Sequence, residues 1–110
     1  MLAQIISDTG SMIKQVVESH APKHIGTFTC TAYAYTGNRC AGGNYPEAGR
    51  TIACNSLPFD TVVWIEGVGV RVVEDRGARW HSDNWLDVYM GDTETCYQWG
   101  RQEREVFIIE

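Results

Sequence analysis

The chain has 110 residues, 44% of them hydrophobic, and carries a formal charge of −5 at neutral pH. This length predicts a single folded domain, and the apolar content is sufficient for a core, which excludes an intrinsically disordered chain. The acidic balance offers no basic surface to a phosphate backbone, so nucleic acid is not expected as a partner. Neutral or cationic polymers are better candidates.

The N-terminal region predicts a helix. Its apolar residues recur at helical spacing, Ser11 can cap a second helical piece after Gly10, and Pro22 ends the pattern. We therefore assign residues 1–24 to a helical segment and linker, whose apolar stripe predicts association with the rest of the domain or with another chain. The stripe consists of Leu2, Ile5, Ile6, Thr9, Ile13, Val16 and Val17.

Residues 25–110 predict a mainly β domain. Residues 27–35, "TFTCTAYAY", alternate between an apolar face that includes Phe28 and Cys30 and a polar face that includes Thr31 and Tyr33. Gly67 and Gly69 indicate a tight hairpin between two later strands. The further strands are predicted at residues 50–54, 61–66, 69–75, 85–89 and 105–110.

One short helix is predicted over residues 92–100. Asp92 suits its N-cap, Glu94 suits the positive first turn, and Gly100 ends it. Six short strands with glycine-bearing turns and one late helix favour a small closed β-barrel, which leaves no exposed sheet edge.

The four cysteines, Cys30, Cys40, Cys54 and Cys96, form no CxxC pair and have no ligand spacing to a histidine. No metal site and no cofactor are therefore predicted. Cys30 and Cys96 are interpreted as core residues. Disulfides stay open, with Cys40 and Cys54 the better pair.

Two aspartates, Asp75 and Asp87, lie at strand ends near several tryptophans. Alternation places Asp87 on the same face as Trp85 and Tyr89. Aromatic rings stack on the apolar faces of sugars, and a carboxyl held against an indole is desolvated, which raises its pKa towards proton donation near neutral pH. This combination favours glycoside chemistry.

Structural interpretations of the same residues remain open. An aspartate before Arg-Gly is also typical of a turn or of a partner for a nearby arginine. Trp80 and Trp85 suit either a sugar platform or a loop anchor, whereas Trp64 and Trp99 suit packing. His81 is interpreted as a loop residue, with substrate contact as the alternative.

A series of motifs, "TAYAYTG", "GRTIA", "VWIEGVGVRVVEDRG", "LDVYM" and "WGRQEREVFII", spans residues 27–110. In order and spacing it resembles the three-aspartate domain of stationary-phase survival proteins and membrane-bound lytic transglycosylase A. The resemblance implies a six-stranded double-psi β-barrel. It also implies cleavage of the β-1,4 bond between N-acetylmuramic acid and N-acetylglucosamine without water, leaving a 1,6-anhydro end.

The resemblance assigns roles to individual residues. Asp75 and Gly77 in "EDRG" match the family's Glu-Asp-Thr-Gly-Gly-like motif, and Asp87 in "LDVY" matches the aspartate taken as the catalytic acid. Thr31 and Tyr33 match a Thr-Ala-Tyr motif that faces the same groove. Together with Asn55, Gly77 and Trp85, a candidate platform, they form the predicted substrate-binding set, and Asp75 is predicted to be catalytic with Asp87.

This chain departs from the family pattern at three places. Asn55 stands where the third aspartate is expected, Ala78 replaces the second glycine, and "ARWHSDN" replaces an Ala-Ile-Lys-Gly run. A lytic transglycosylase needs one carboxyl that first donates a proton and then accepts one, so a single aspartate suffices chemically.

Three functions are compatible with the sequence. The first is a peptidoglycan lytic transglycosylase with Asp87 as general acid and base and Asp75 beside it. The second is a non-catalytic peptidoglycan- or glycan-binding module, and the third is a structural domain of a phage particle recruited through its N-terminal helix. No apolar run reaches the ~18 residues of a membrane span, and no signal peptide is recognisable. A cell-wall, extracellular or phage-associated location is expected.

Overall fold

The computed structural model describes residues 21–109, which form a mainly β structure with one short helix. The mainly β prediction is confirmed. The helical segment predicted over residues 1–24 lies mostly outside the described part, in residues 1–20, and its last two residues belong to the first strand. The elements are β1 (Lys23–Ala34), β2 (Thr51–Cys54), β3 (Val62–Ile65), β4 (Gly69–Asp75), β5 (Trp85–Gly91), α1 (Thr93–Trp99) and β6 (Gln102–Ile108).

The six strands close into a ring in the order β1, β5, β2, β4, β3, β6. The pairs β1–β5 and β2–β4 are parallel, and the other four pairs are antiparallel. Because every strand has two neighbours, the backbone hydrogen-bonding groups of the sheet are paired on both sides. The ring places β5 and β4 on either side of β2, the arrangement that brings the two candidate aspartates together.

The interior of the ring is filled by one apolar cluster. In β5, Leu86 and Val88 are fully buried, so Asp87 between them points to the outer side, as alternation predicts. The buried cluster consists of Phe28, Cys30, Ile52, Cys54, Val63, Ile65, Val73, Leu86, Val88 and Val106.

Two strands begin earlier than predicted. β1 begins at Lys23 rather than at residue 27, because a register shift between His24 and Gly26 accommodates the break in alternation, with Gly26 at a φ of 124°. β6 begins at Gln102 because its polar residues pair with the polar face of β1; the Thr27 hydroxyl, for example, donates to Glu105 at 2.5 Å.

The short helix has the predicted ends. The Asp92 side chain accepts a hydrogen bond from the Thr95 backbone N–H at 2.8 Å, and Gly100 ends the helix with a φ of 70°. α1 packs on the core through Trp99, and Cys96 is partly exposed rather than buried in the core as expected. All four cysteines are free thiols, so Cys40 and Cys54 are not bridged.

Candidate functional site

Strand register aligns the candidate residues in one row across the sheet. Thr31 in β1 is opposite Asp87 in β5, and Ala53 in β2 is opposite both Asp87 and Asp75. Neighbouring strands are about 4.8 Å apart, so the backbones of the two aspartates are separated by about 10 Å. The two carboxyls thus belong to one region of the molecule, with a single strand between them.

The Asp87 carboxyl is held by one hydroxyl group. The Trp85 indole N–H donates to the Thr31 hydroxyl oxygen at 2.9 Å, and this hydroxyl in turn donates to Oδ1 of Asp87. The other carboxyl oxygen, Oδ2, lies 3.9 Å from Nδ1 of His81. Within the described residues Oδ2 accepts no hydrogen bond, so it is available to an external donor or acceptor.

His81 belongs to this cluster, although the sequence indicated only a loop residue. Its ring stacks on Trp85 with centroids 4.3 Å apart and planes 5° apart, and its side chain is only 8% exposed. A Cβ at Gly77 would lie 2.5 Å from His81 Nδ1, so only glycine leaves room for the imidazole. Gly77 therefore acts in the site by making space.

The two tryptophans of the β4–β5 loop region differ in exposure. Trp85 is partly buried, its ring stacks on His81, and the Arg101 guanidinium carbon lies 4.7 Å from the ring centroid. Trp80 is 73% exposed and contacts both rings approximately at right angles. Trp85 is thus an anchor for the cluster, whereas Trp80 presents its ring to solvent.

The Asp75 carboxyl, unlike that of Asp87, is occupied by three hydrogen bonds. It accepts from the Tyr33 hydroxyl at 3.1 Å, from the Ala41 backbone N–H at 2.8 Å and from the Arg76 backbone N–H at 2.9 Å. Burial raises the pKa of Tyr33, and the negative charge of Asp75 raises it further, so Tyr33 stays protonated and donating. Asp75 therefore ties β1 and the β1–β2 loop (residues 35–50) to the end of β4.

The Arg76 side chain does not pair with Asp75, which was the alternative explanation for an aspartate before Arg-Gly. Its guanidinium donates to the carbonyls of Cys54 at 2.6 Å and Leu57 at 2.9 Å and lies 3.8 Å from the Phe59 ring centroid. Arg76 thus stabilises the β2–β3 loop (residues 55–61).

Asn55 clamps the β4–β5 loop (residues 76–84) through both ends of its amide. Its Nδ2 donates to the Ala78 carbonyl at 2.7 Å, and its Oδ1 accepts from the Gly77 backbone N–H at 2.9 Å. A carboxylate can accept but not donate, so the contact with Ala78 requires an amide at this position. Asn55 therefore has a positioning role: it holds the loop that carries His81 and acts on His81 and Asp87 only through that loop.

An open cleft of about 420 Å³ lies between β1 and α1. Thr31 and Tyr33 line its strand side, and Cys96 and Tyr97 line its helix side. Burial raises the pKa of the Cys96 thiol, as does the negative charge of Asp92, which keeps the thiol protonated. Thr31 and Tyr33 also donate hydrogen bonds to Asp87 and Asp75, so these two side chains connect the cleft to the carboxyls, neither of which lines it.

No protein-family model and no curated protein sequence matches the chain. Over residues 21–109, no three histidine, cysteine, aspartate or glutamate side chains are grouped so that they could hold a metal ion. None of the helices in this same part of the chain has the length and hydropathy needed to cross a membrane. The site must therefore be interpreted from its own geometry.

Proposed function

We propose that the chain is a three-aspartate-type domain with a double-psi β-barrel fold, and that it cleaves peptidoglycan glycan strands as a lytic transglycosylase. The reaction would break the β-1,4 bond between N-acetylmuramic acid and N-acetylglucosamine. The observation that carries the proposal is the state of Asp87: Thr31, which also lines the open cleft, fixes one carboxyl oxygen, and the other oxygen has no hydrogen bond in the described structure.

Two features of the fold support the family assignment. The closed ring combines two parallel pairs with four antiparallel pairs, which requires crossing connections rather than a simple up-and-down order. The ordered sequence motifs fall on the elements that build the site: "TAY" in β1, "TIA" in β2, "VVED" in β4 and "LDVY" in β5.

The proposed mechanism uses Asp87 twice. As an acid, Asp87 donates its proton to the glycosidic oxygen while the bond from that oxygen to C1 of the N-acetylmuramic acid breaks. As a carboxylate, it then accepts the proton of the C6 hydroxyl of that sugar as the C6 oxygen attacks C1. The product carries a 1,6-anhydro ring, Asp87 is protonated again, and no water is consumed.

The neighbours of Asp87 have positioning roles in this mechanism. Because the Trp85 N–H occupies the Thr31 oxygen, the Thr31 hydroxyl proton is directed to Asp87, which fixes the rotation of the carboxyl group. Asn55 and Gly77 position the loop that carries His81 against the other carboxyl oxygen. Asp75 positions Tyr33 at the cleft wall and does not take part in proton transfer.

A glycan-binding module without activity is the second candidate, and Asn55 is the observation that favours it. The family places a carboxylate where this chain has an amide, and that amide is engaged in two backbone hydrogen bonds. Such a module would keep the cleft and its aromatic rim but bind the polymer without cleaving it. In either form the partner is peptidoglycan, so we place the protein at the cell wall or in a phage particle.

Incubation of the full chain with purified peptidoglycan tests the proposal. Mass spectrometry of the soluble fraction should detect muropeptides with 1,6-anhydro ends, and these should be missing with Asp87→Asn. Products with reducing ends would indicate a hydrolase and contradict the mechanism. Co-sedimentation with the polymer, without any released product, would instead support the binding module.

A further inference from the structure

Trp80 is an exposed aromatic residue whose orientation is fixed by its neighbours. It is 73% exposed, and single exposed apolar side chains are ordinary on protein surfaces. Its ring centroid, however, is 4.6 Å from that of His81 and 5.2 Å from that of Trp85, with interplanar angles of 84° and 85°. Trp80 is therefore part of a three-ring cluster.

The geometry of this cluster leaves a face of Trp80 open. His81 and Trp85 are parallel at 4.3 Å, and Trp80 is nearly equidistant from both, so it lies beside the stacked pair and perpendicular to it. An indole with both faces covered cannot be 73% exposed, so at least one face of Trp80 is free. Contacts with two rings restrict its rotation, which lowers the entropy cost of binding a ligand there.

His81 contacts both Trp80 and Asp87: its ring centroid is 4.6 Å from that of Trp80, and its Nδ1 is 3.9 Å from Oδ2 of Asp87. A pyranose ring has an apolar C–H face that an indole can cover while its hydroxyls stay in water. We propose that Trp80 is a stacking platform for a neutral, N-acetylated sugar ring next to the bond at Asp87. This inference rests on the proposed function in taking a glycan as the ligand.

Trp85 does not provide this platform, because its ring is engaged by His81 and Arg101 and its N–H is used by Thr31. The platform is also specific to this chain in its sequence: Trp80 lies in "ARWHSDN", the run that departs from the resembled family. The structure thus separates two tryptophans that the sequence could not distinguish.

Calorimetric binding of the β-1,4-linked N-acetylglucosamine tetramer tests the platform. The parent is Asp87→Asn, so that no ligand is consumed, and Trp80→Ala, Trp80→Phe and Tyr45→Ala are added to it separately. Trp80→Ala should raise Kd ~10-fold or more, and Trp80→Phe less than ~3-fold because it keeps an aromatic face. Tyr45 is 54% exposed and lies under Arg39 in the β1–β2 loop, so Tyr45→Ala should not change Kd.

The outcomes separate this inference from the proposed function. Equal Kd values for the parent and Trp80→Ala overturn the platform, even if the wild type cleaves peptidoglycan. Binding that depends on Trp80, in a protein that releases no muropeptides, supports the platform and refutes the enzyme. A parent that does not bind the tetramer refutes the platform. Thermal melts check that Trp80→Ala is folded, and Trp80→Phe provides a second variant with minimal change in shape.

Discussion

The two candidate aspartates look alike in sequence but have different environments in the structure. Asp75 accepts three hydrogen bonds, two of them from backbone N–H groups, and joins β4 to the β1–β2 loop. Asp87 accepts one hydrogen bond, from the Thr31 hydroxyl, and its second oxygen faces His81 without bonding to it. The comparison assigns a structural role to Asp75 and leaves one oxygen of Asp87 without a hydrogen bond from the described residues.

This difference follows from where each carboxyl sits in its strand. Asp75 is the last residue of β4, and its carboxyl accepts hydrogen bonds from the N–H groups of Arg76, which follows it, and of Ala41 in the β1–β2 loop. Asp87 lies in the middle of β5 on the outer face, where its backbone is already paired and only side chains approach. A carboxyl in the second environment keeps spare hydrogen-bonding capacity.

Asp87→Asn is expected to have the largest effect. It preserves shape and the acceptor for Thr31 but removes the transferable proton, so the rate of anhydro-muropeptide release should fall ~10²–10⁴-fold with little change in stability. Asp83→Asn changes an exposed aspartate in the adjacent β4–β5 loop; it is the matched control and should cleave like the wild type. An unchanged rate for Asp87→Asn would show that Asp87 does not perform the proton transfer.

Asp75→Ala should show the opposite profile. Removing the carboxylate leaves the Tyr33 hydroxyl and the N–H groups of Ala41 and Arg76 without their acceptor, which should cost ~2–4 kcal/mol of unfolding free energy. Urea denaturation measures this loss, with Asp83→Ala as the control. If Asp75→Ala were as stable as the wild type but inactive, Asp75 would be assigned to the chemistry instead.

Much of the fold could be predicted from local sequence, because alternation and capping are local properties. Leu86 and Val88 fix the face of Asp87, and Asp92 and Gly100 fix the ends of α1. The site depended on contacts between distant loops, which one sequence does not display. The sequence indicated Gly77 only through the family motif and did not reveal its role, which is to make space for His81, since its partner Asn55 lies 22 residues away.

Asn55→Asp tests whether the third aspartate of the family pattern can be introduced at position 55. The new carboxylate would replace the donor to the Ala78 carbonyl, now at 2.7 Å, by an acceptor, and we expect a loss of ~1–3 kcal/mol at neutral pH. Repulsion raises the folded-state pKa of the introduced carboxyl, so the penalty is absent below the unfolded pKa of about 3.9, grows as pH rises from there to the folded pKa, and is complete above it. Urea melts at pH 4 and pH 7 measure the difference.

The control for this prediction is Asn55→Ser, which removes the clamp without adding a charge. Its loss of stability should not depend on pH. If Asn55→Asp is as stable as the wild type at pH 7 and raises the rate of cleavage, the amide is a partial loss of function rather than a clamp. That result would assign Asn55, like Asp87, a role in the chemistry rather than in the structure.

The smallest expected effect concerns Glu74, the neighbour of Asp75 in β4, whose side chain also contacts the β1–β2 loop. Burial alone would raise the pKa of Glu74, but hydrogen bonds from Thr51 at 2.6 Å and Arg50 at 3.0 Å outweigh it and lower the pKa. A lowered carboxyl pKa contributes stability above its unfolded value of about 4.3, and this contribution is lost as pH falls through the folded value.

Glu74→Gln should therefore cost about 1 kcal/mol at pH 7 and show a shallower loss of stability on acidification than the wild type. Urea melts from pH 7 to pH 3 measure both slopes, with the exposed Glu66→Gln as control, and parallel acid slopes for Glu74→Gln and the wild type would contradict the lowered pKa of Glu74.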